Sequence, residues 1–406
     1  MAVRAEPRVI IAGAGPVGLA AAAAIRKAAP RVQVTVCDPA IRNIQMPTES
    51  GLRVIAMTPA SMSLFESVGI LSALPEFALA PYERMRVWDA GHWAADGIEF
   101  AAYRVGRKSL GAMTDVAALQ ACLFEHLASD SGVSLLADGV AEIEARDADV
   151  SVTMLSGDAL EAELLIGADG RQSRVRQSLR LGVRRWSHHQ RAVVGTLMPE
   201  LAHERTALQR FLPDGPLALL PLRDARVSLV WSTLPDHARA LESMSPEAFT
   251  EAVSEASDHV LGNLSPTSPV ISFPLESAYV TNPIAPRTAL IGDAAHAIHP
   301  LAGQGANLGF ADAVALASIV KEVVESRGDP GDAPWLRRYR RTRRADNLTT
   351  LFGMDFINRL FGREQGAFAD LRRRGMQWFQ SSTLAEQLAI GHATTMRGVD
   401  ALGELS

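Results

Sequence analysis

The chain has 406 residues, 48% of them hydrophobic and 21% charged, an ordinary globular balance at a length that favours two domains. A net charge of −5 argues against general nucleic-acid binding. The two cysteines, Cys37 and Cys122, stand in no metal-ligand spacing, which predicts a reduced compartment and no structural zinc.

Residues 7–13 read as a buried strand and residues 16–29 as an alanine-rich helix. Arg4 and Arg8 before this apolar stretch give it the outline of a signal peptide. Gly13, Gly15 and Gly18 instead break it into strand, turn and helix, and Arg26-Lys27 closes the helix. No other run approaches the roughly 18 apolar residues of a membrane span, so the expectation is a cytoplasmic protein without transmembrane segments. A second strand, 32–37, ends at Asp38. Residues 58–69 form a helix behind a Thr58-Pro59 cap, and 114–129 an amphipathic helix. Short strands follow at 134–136, 141–145 and 150–154, then a strand at 162–166.

From about residue 182 the pattern changes to alternation with Pro and Gly punctuation, at 193–197, 207–212, 217–220 and 227–232. This predicts an antiparallel sheet, with a helix over 246–260. Trp231, Phe211 and Phe273 read as core residues of that sheet. The α/β character returns near Tyr279, with a strand at 288–291 and a helix through 312–320. Residues 335–380 read as helical and basic. Between Trp335 and Gly375 stand eleven Arg and four acids, a local +7 that leaves −12 on the rest of a chain whose total is −5.

Three motifs carry chemistry. Gly13-Ala14-Gly15-Pro16-Val17-Gly18 follows a strand and opens a helix, and Asp38 closes the next strand. In this context the glycines suit a tight turn, a pyrophosphate and close helix packing, and the acid suits ribose hydroxyls. Ala168-Asp169-Gly170-Arg171-Gln172-Ser173-Arg174-Val175-Arg176 also follows a strand. Alone it reads equally as a helix cap by Ser173 or Asp169. Residues 290–313 place Gly292-Asp293 at a strand end and Gly303, Gly305 and Gly309 at a helix entry. A carboxylate beside an anion-attracting helix start suits a ligand with hydroxyls and an electron-rich ring.

In this order and spacing the trio resembles the flavin-dependent aromatic hydroxylases of the para-hydroxybenzoate hydroxylase type. The narrower signature of Asp293-Ala294-Ala295-His296 with His299-Pro300-Leu301-Ala302-Gly303-Gln304-Gly305-Ala306-Asn307-Leu308-Gly309 is similar to the ubiquinone-biosynthesis hydroxylase branch. So are Leu52-Arg53-Val54, residues 211–222, Arg344-Ala345-Asp346-Asn347 and Met354-Asp355. The chain differs from the usual branch pattern at Asp38, Gly51 and Asp115-Val116.

The resemblance implies an α/β fold: a Rossmann-like FAD-binding domain (1–75, 105–181 and 277–334), an antiparallel-sheet substrate domain (76–104 and 182–276) and a helical basic C-terminal segment (335–406). It implies FAD, NAD(P)H as reductant and O2 as co-substrate. O2 would add at the flavin C4a carbon, and an electron-rich phenol would attack the distal oxygen of the hydroperoxide. Asp169 would contact the pyrophosphate, and Gly292 and Asp293 the FAD ribose or ribityl hydroxyls. Arg53, Gln120, Val140, Gly303, Gln304, Gly305, Ala306 and Asn307 complete the cofactor positions, and Pro300 and Pro221 would wall the ring pocket. No side-chain acid or base and no metal are expected, and His296 and His299 read as structural. The implied substrate is a hydrophobic prenylated phenol or quinone precursor. A peripheral membrane contact at the inner membrane surface, or a biosynthetic complex, would then involve the basic segment. The rivals are a hydroxylase of another aromatic, a prenyl-chain reductase and a non-catalytic flavoprotein scaffold. No Trp-x-Trp-x-Ile-Pro segment supports a halogenase.

Overall fold

A parallel sheet carries the strands Thr288–Leu290, Leu164–Gly167, Arg8–Ala12, Gln33–Cys37 and Val133–Leu136, in that spatial order, with Ile284–Ala285 antiparallel at one edge. The structure is a computed structural model that describes residues 6–298 and 304–361. Strands buried on both faces must be apolar throughout, which is why Val9-Ile10-Ile11-Ala12 and Leu164-Leu165-Ile166 show no alternation. Helix Pro16–Ala28 packs on this sheet and against the long helix Gln304–Glu325. Its alanines 20–24 are all buried, and their small side chains let the two helices approach closely.

A second, larger sheet orders His296–Ala297, Ile271–Val280, Val183–Pro199, Val227–Thr233, Gly215–Pro221, Thr206–Leu212, Arg84–Asp89 and Ile98–Ala101, with Leu264–Pro266 paired beside Val183–Pro199. Helices Pro235–Ser243 and Pro246–Ala256 cover one of its faces over Val193, Leu197, Leu217, Leu219, Leu229 and Trp231. Strand alternation turns Phe211, Ala218, Leu220, Val194 and Val230 to the other face. Leu220 there packs with Ala56 and Met113 of a small sheet formed by Val54–Met57, Gly111–Asp115 and Leu79–Tyr82. A fourth sheet, Val140–Ala145, Val150–Met154 and Ala159–Ala162, completes the first half. Among the described residues no helix is long and apolar enough to cross a membrane.

Several boundaries differ from the sequence expectation. The helix expected at 114–129 begins at Val116, because Thr114 and Asp115 belong to a strand and the Asp115 carboxylate caps the helix at Ala118 N–H (2.8 Å). The strand expected at 162–166 is two strands of different sheets, meeting at Glu163. The helix expected to reach 260 stops at Ala256, and the left-handed Asp258 and His259 reverse the chain. Leu79–Tyr82 pairs with Gly111–Asp115, so that part of 76–104 sits with the first half, while His296–Ala297 joins the larger sheet. Trp231 and Phe211 are buried, but Phe273 is 39% exposed. It lies opposite Ala192, on the sheet face that the two helices do not cover. Helix Ala333–Phe361 accounts for the first part of the basic segment, and residues 362–406 lie outside the described residues.

Candidate active site

Ala12 pairs with both Cys37 and Gly167, and Gly167 pairs with Leu290. The loops that follow these four strands therefore leave the parallel sheet side by side, at its carboxyl edge, where such sheets bind ligands. Residues 13–18, Asp38, 168–176 and 291–295 are brought together by that register alone.

Gly13 has φ +112°, and a Cβ there would strike the Ala168 carbonyl oxygen and stand 2.9 Å from the Asp169 Cα. A Cβ on Gly18 would run into the Gly13 carbonyl. Gly15 is different: its φ is an ordinary −67°, and a Cβ would meet nothing within 4 Å. No contact inside the protein calls for a glycine at that position, and the space beside it is open. Helix Pro16–Ala28 begins there without a side-chain cap, so its first N–H groups and dipole face that space. Asp38 and Gln120 hold the two successive peptide groups that flank Ala14 in the turn. The Ala14 N–H donates to Asp38 Oδ2 (2.9 Å), and Gln120 Nε2 donates to the Ala14 carbonyl (2.7 Å).

Asp169 and Ser173 both cap the short helix Arg174–Ser178. Asp169 Oδ2 accepts from the N–H groups of Arg174 (2.7 Å) and Val175 (3.1 Å), and Ser173 Oγ accepts from Arg176 N–H (3.0 Å). The Asp169 Oδ1 is buried and has no partner among the described residues, a state that a polar ligand would relieve. The open space at Gly15, the uncapped helix and this orphaned oxygen fit a dinucleotide cofactor.

The third loop makes a short turn, Gly292–Ala294. Gly292 adopts φ +56°, and a Cβ there would press on Val17 Cγ1 at 3.1 Å. The turn leaves the Asp293 carboxylate 43% exposed and paired with Arg171 Nε at 3.3 Å, so the second and third motifs touch. The buried Arg176 ties them further, donating to the carbonyls of Ala294 (2.8 Å) and Arg171 (2.6 Å). Cys37 lies beneath Asp38. Burial first, then the Asp38 and Asp169 charges, push its thiol up to about 12, so it is an inert packing group.

A family model of an FAD binding domain matches residues 6–347. The chain is 33% identical to the mitochondrial ubiquinone biosynthesis monooxygenase COQ6 of Xenopus tropicalis, over 95% of this chain and 93% of the relative. The chain belongs to the FAD-dependent monooxygenases. It is also 31% identical to the 3-demethoxyubiquinol 3-hydroxylase of Escherichia coli, over 85% of this chain and 88% of that one. Among solved structures, p-nitrophenol 4-monooxygenase PnpA from Pseudomonas putida shares the fold, with a TM-score of 0.74 at 17% identity over 96% and 98% of the two chains.

The remaining expected positions of this monooxygenase fall into three groups. Arg53 is exposed at the strand Val54–Met57, its carbonyl accepting from Val116 N–H (3.0 Å), and Val140 is buried in one cluster with Cys37. Asn307 is buried and faces inward. Its Oδ1 accepts from Thr58 N–H (3.0 Å) and Ser61 Oγ (2.7 Å), and its Nδ2 donates to the Ala56 carbonyl (2.8 Å). The side chain therefore staples helix Gln304–Glu325 to the strand below it, and Ala306 packs against the same core. A Cβ on Gly305 would make only ordinary contact with Ile298. Pro221 shares the strand face of Leu217 and Leu219 by alternation, so Leu220 is the residue that faces the flavin half in its place. Gly303, Pro300 and His299 lie outside the described residues, as does the Gln304 side chain.

His296 is buried, with Nε2 at 2.6 Å from Asp312 Oδ2. Among the described residues no three His, Cys, Asp or Glu side chains converge as a metal site. The sequence reading missed Asp312, Arg343, Tyr339 and the role of Arg176. Asp312 did leave a signal: it is a lone acid on the apolar run Gly309-Phe310-Ala311-Asp312-Ala313-Val314, and an acid is seldom buried unless paired.

Proposed function

We propose that this monooxygenase hydroxylates the aromatic ring of a polyprenylated phenol in ubiquinone biosynthesis. The observation that carries the reading is an apolar row across the open face of the larger sheet. Ala218, Val230, Val194 and Ile271 stand directly opposite one another on four adjacent strands. At the usual strand spacing the row is about 14 Å long. Leu220, on the same face as Ala218, touches the flavin half, and Ile271 at the other end is 44% exposed, beside the exposed Phe273. A ring held near the cofactor could lay an apolar tail along this row and out at the sheet edge. The relatives named for ubiquinone biosynthesis support the same substrate class.

Bound FAD, reduced by NAD(P)H, supplies the oxygen-activating chemistry. The chain supplies the rest. Gly15 and the helix behind it would bind the pyrophosphate and Asp293 the ribose or ribityl hydroxyls, and the apolar sheet face would help keep water from the ring. The start of helix Gln304–Glu325 would favour negative charge on the flavin ring by about 1 kcal/mol, and by more when dry. Such a substrate resides in the bilayer. The exposed Arg337, Arg341 and Arg344, in one stripe on helix Ala333–Phe361, would hold the enzyme at an anionic membrane surface.

The deciding experiment is mass spectrometry of quinone intermediates in a strain that lacks this chain. One accumulated, under-hydroxylated prenylphenol is expected, and its structure names the ring position. An unchanged quinone profile with no redundant enzyme would sink the assignment.

A further inference from the structure

Asp312 has a hydrogen-bonding load unlike that of any other acid among the described residues. It is fully buried, and its carboxylate accepts from Gly292 N–H (3.1 Å), His296 Nε2 (2.6 Å), Arg343 Nε (2.8 Å) and, at the limit, Asn347 Nδ2 (3.5 Å). These donors come from three separate parts of the chain: the cofactor turn, the short strand after it and the C-terminal helix. Arg343 is held in turn by Asp346 (2.9 Å) and the Asn347 carbonyl oxygen Oδ1 (2.9 Å). Tyr339, one turn earlier on that helix, donates to the Leu290 carbonyl (2.9 Å), two residues before Gly292. The other ring nitrogen of His296, Nδ1, is buried with no partner among the described residues, so Asp312 alone fixes the ring through hydrogen bonding there.

We propose that Asp312 is a positioning residue for the cofactor: it anchors the Gly292–Ala294 turn by the Gly292 N–H, while Arg343 and His296 anchor Asp312. The inference rests on the flavin site and deepens it. Burial alone would push the Asp312 carboxyl up. The charges of His296 and Arg343, with their hydrogen bonds, outweigh that and bring it down to about 2, so it stays ionised at working pH. Stability is a poor explanation for such a cluster. Well-packed apolar residues of similar volume serve a core equally well or better, because burying two ions is unfavourable before their attraction is counted. What an apolar pair cannot do is accept the Gly292 N–H. Without that bond the left-handed Gly292 loses the contact that fixes it, and Asp293, the next residue, moves with it.

The test uses the full chain as apoprotein and the double variant Asp312→Leu/Arg343→Met, which removes the Asp312–Arg343 pair together and leaves His296 Nε2 without its acceptor. Three quantities are read: the thermal midpoint, FAD affinity by fluorescence titration, and amide exchange of the segment 288–296. The expected result is FAD binding weakened about tenfold or more and faster exchange of the turn, in a variant still folded at the assay temperature. The flavin midpoint potential of the reconstituted variant should also move. Wild-type FAD affinity with unchanged exchange overturns the proposal, whatever the melting behaviour. Should the double variant fail to fold, His296→Leu decides, because it removes one donor to Asp312 and leaves the Asp312–Arg343 pair in place. About threefold weaker FAD binding with faster exchange supports the anchor, and wild-type values for both overturn it. Neither measurement uses a phenol or NAD(P)H, so a wrong substrate assignment leaves the outcome untouched. A wild-type chain that failed to bind FAD would instead remove the flavin site itself.

Discussion

Gly13 and Gly15 stand two residues apart and are glycines for different reasons, which a substitution can separate. Gly13→Ala forces a side chain into φ +112° and onto the Ala168 carbonyl, so the fold itself should weaken, by at least ~2 kcal/mol in denaturant unfolding of the apoprotein. Gly15→Ala meets no atom of the protein. Its apoprotein should unfold within ~0.5 kcal/mol of the wild type, while FAD affinity should fall about tenfold or more, because the added methyl would occupy the space proposed for the pyrophosphate. Equal FAD affinity in Gly15→Ala would show that the cofactor does not approach that turn. The sequence motif gave the two glycines different roles but not the contact that makes Gly13 obligatory, since that contact is Ala168, 155 residues away and brought there by strand pairing. Asp38 and Gln120 were legible in the same limited way. Their importance was visible, but not that they grip the N–H and the carbonyl of Ala14.

Elements were legible where one local signal dominates. The Thr58-Pro59 cap and the glycine-opened helix after Gly15 stand within a residue or two of where the sequence places them, since a capping side chain and a fixed proline φ act over one turn. Boundaries were not legible where a tertiary partner decides, as at Glu163, where one apolar run divides between two sheets. Asn307 is the clearest case of a role set by packing between elements. Asn307→Ala would leave the Thr58 N–H and the Ala56 carbonyl without their buried partner. It should destabilise the protein by about 2–4 kcal/mol in urea unfolding, with the residual FAD affinity of folded protein little changed. A loss of affinity without a loss of stability would return Asn307 to the cofactor. The helix pair built on Asp312 has a pH signature of its own. Its folded pKa is depressed, so its contribution is complete above the unfolded value near 4 and is lost as pH falls toward 2. The part of the stability difference between wild type and Asp312→Leu/Arg343→Met that comes from the Asp312 carboxyl should therefore be lost only below about pH 4 in acid unfolding curves.

At the scale of the whole molecule, the charge asymmetry seen in the sequence resolves into two populations. Arg343 is core, Arg338 pairs with Glu322 and Arg340 with Asn282, whereas Arg337, Arg341 and Arg344 are exposed on one stripe. Composition could count the arginines but not sort them, because the sorting depends on which face of the helix meets Asp312. The sorting also dictates how a membrane role must be tested. Removing the chain from 335 onward would strip Tyr339 and Arg343 from the core and unfold the cofactor turn, so a loss of membrane binding would mean nothing. Arg337→Gln/Arg341→Gln/Arg344→Gln removes only the exposed charges. At roughly 1 kcal/mol for each arginine near an anionic surface, the triple variant should bind phosphatidylserine-containing vesicles about 100-fold more weakly at low salt, in a sedimentation assay. Its FAD affinity and thermal midpoint should stay at wild-type values, and added salt should release the wild type from the same vesicles within the reach of ionic screening. Vesicle binding that is equally strong in the variant, or that ignores salt, would mean that the stripe does not hold the enzyme at the membrane.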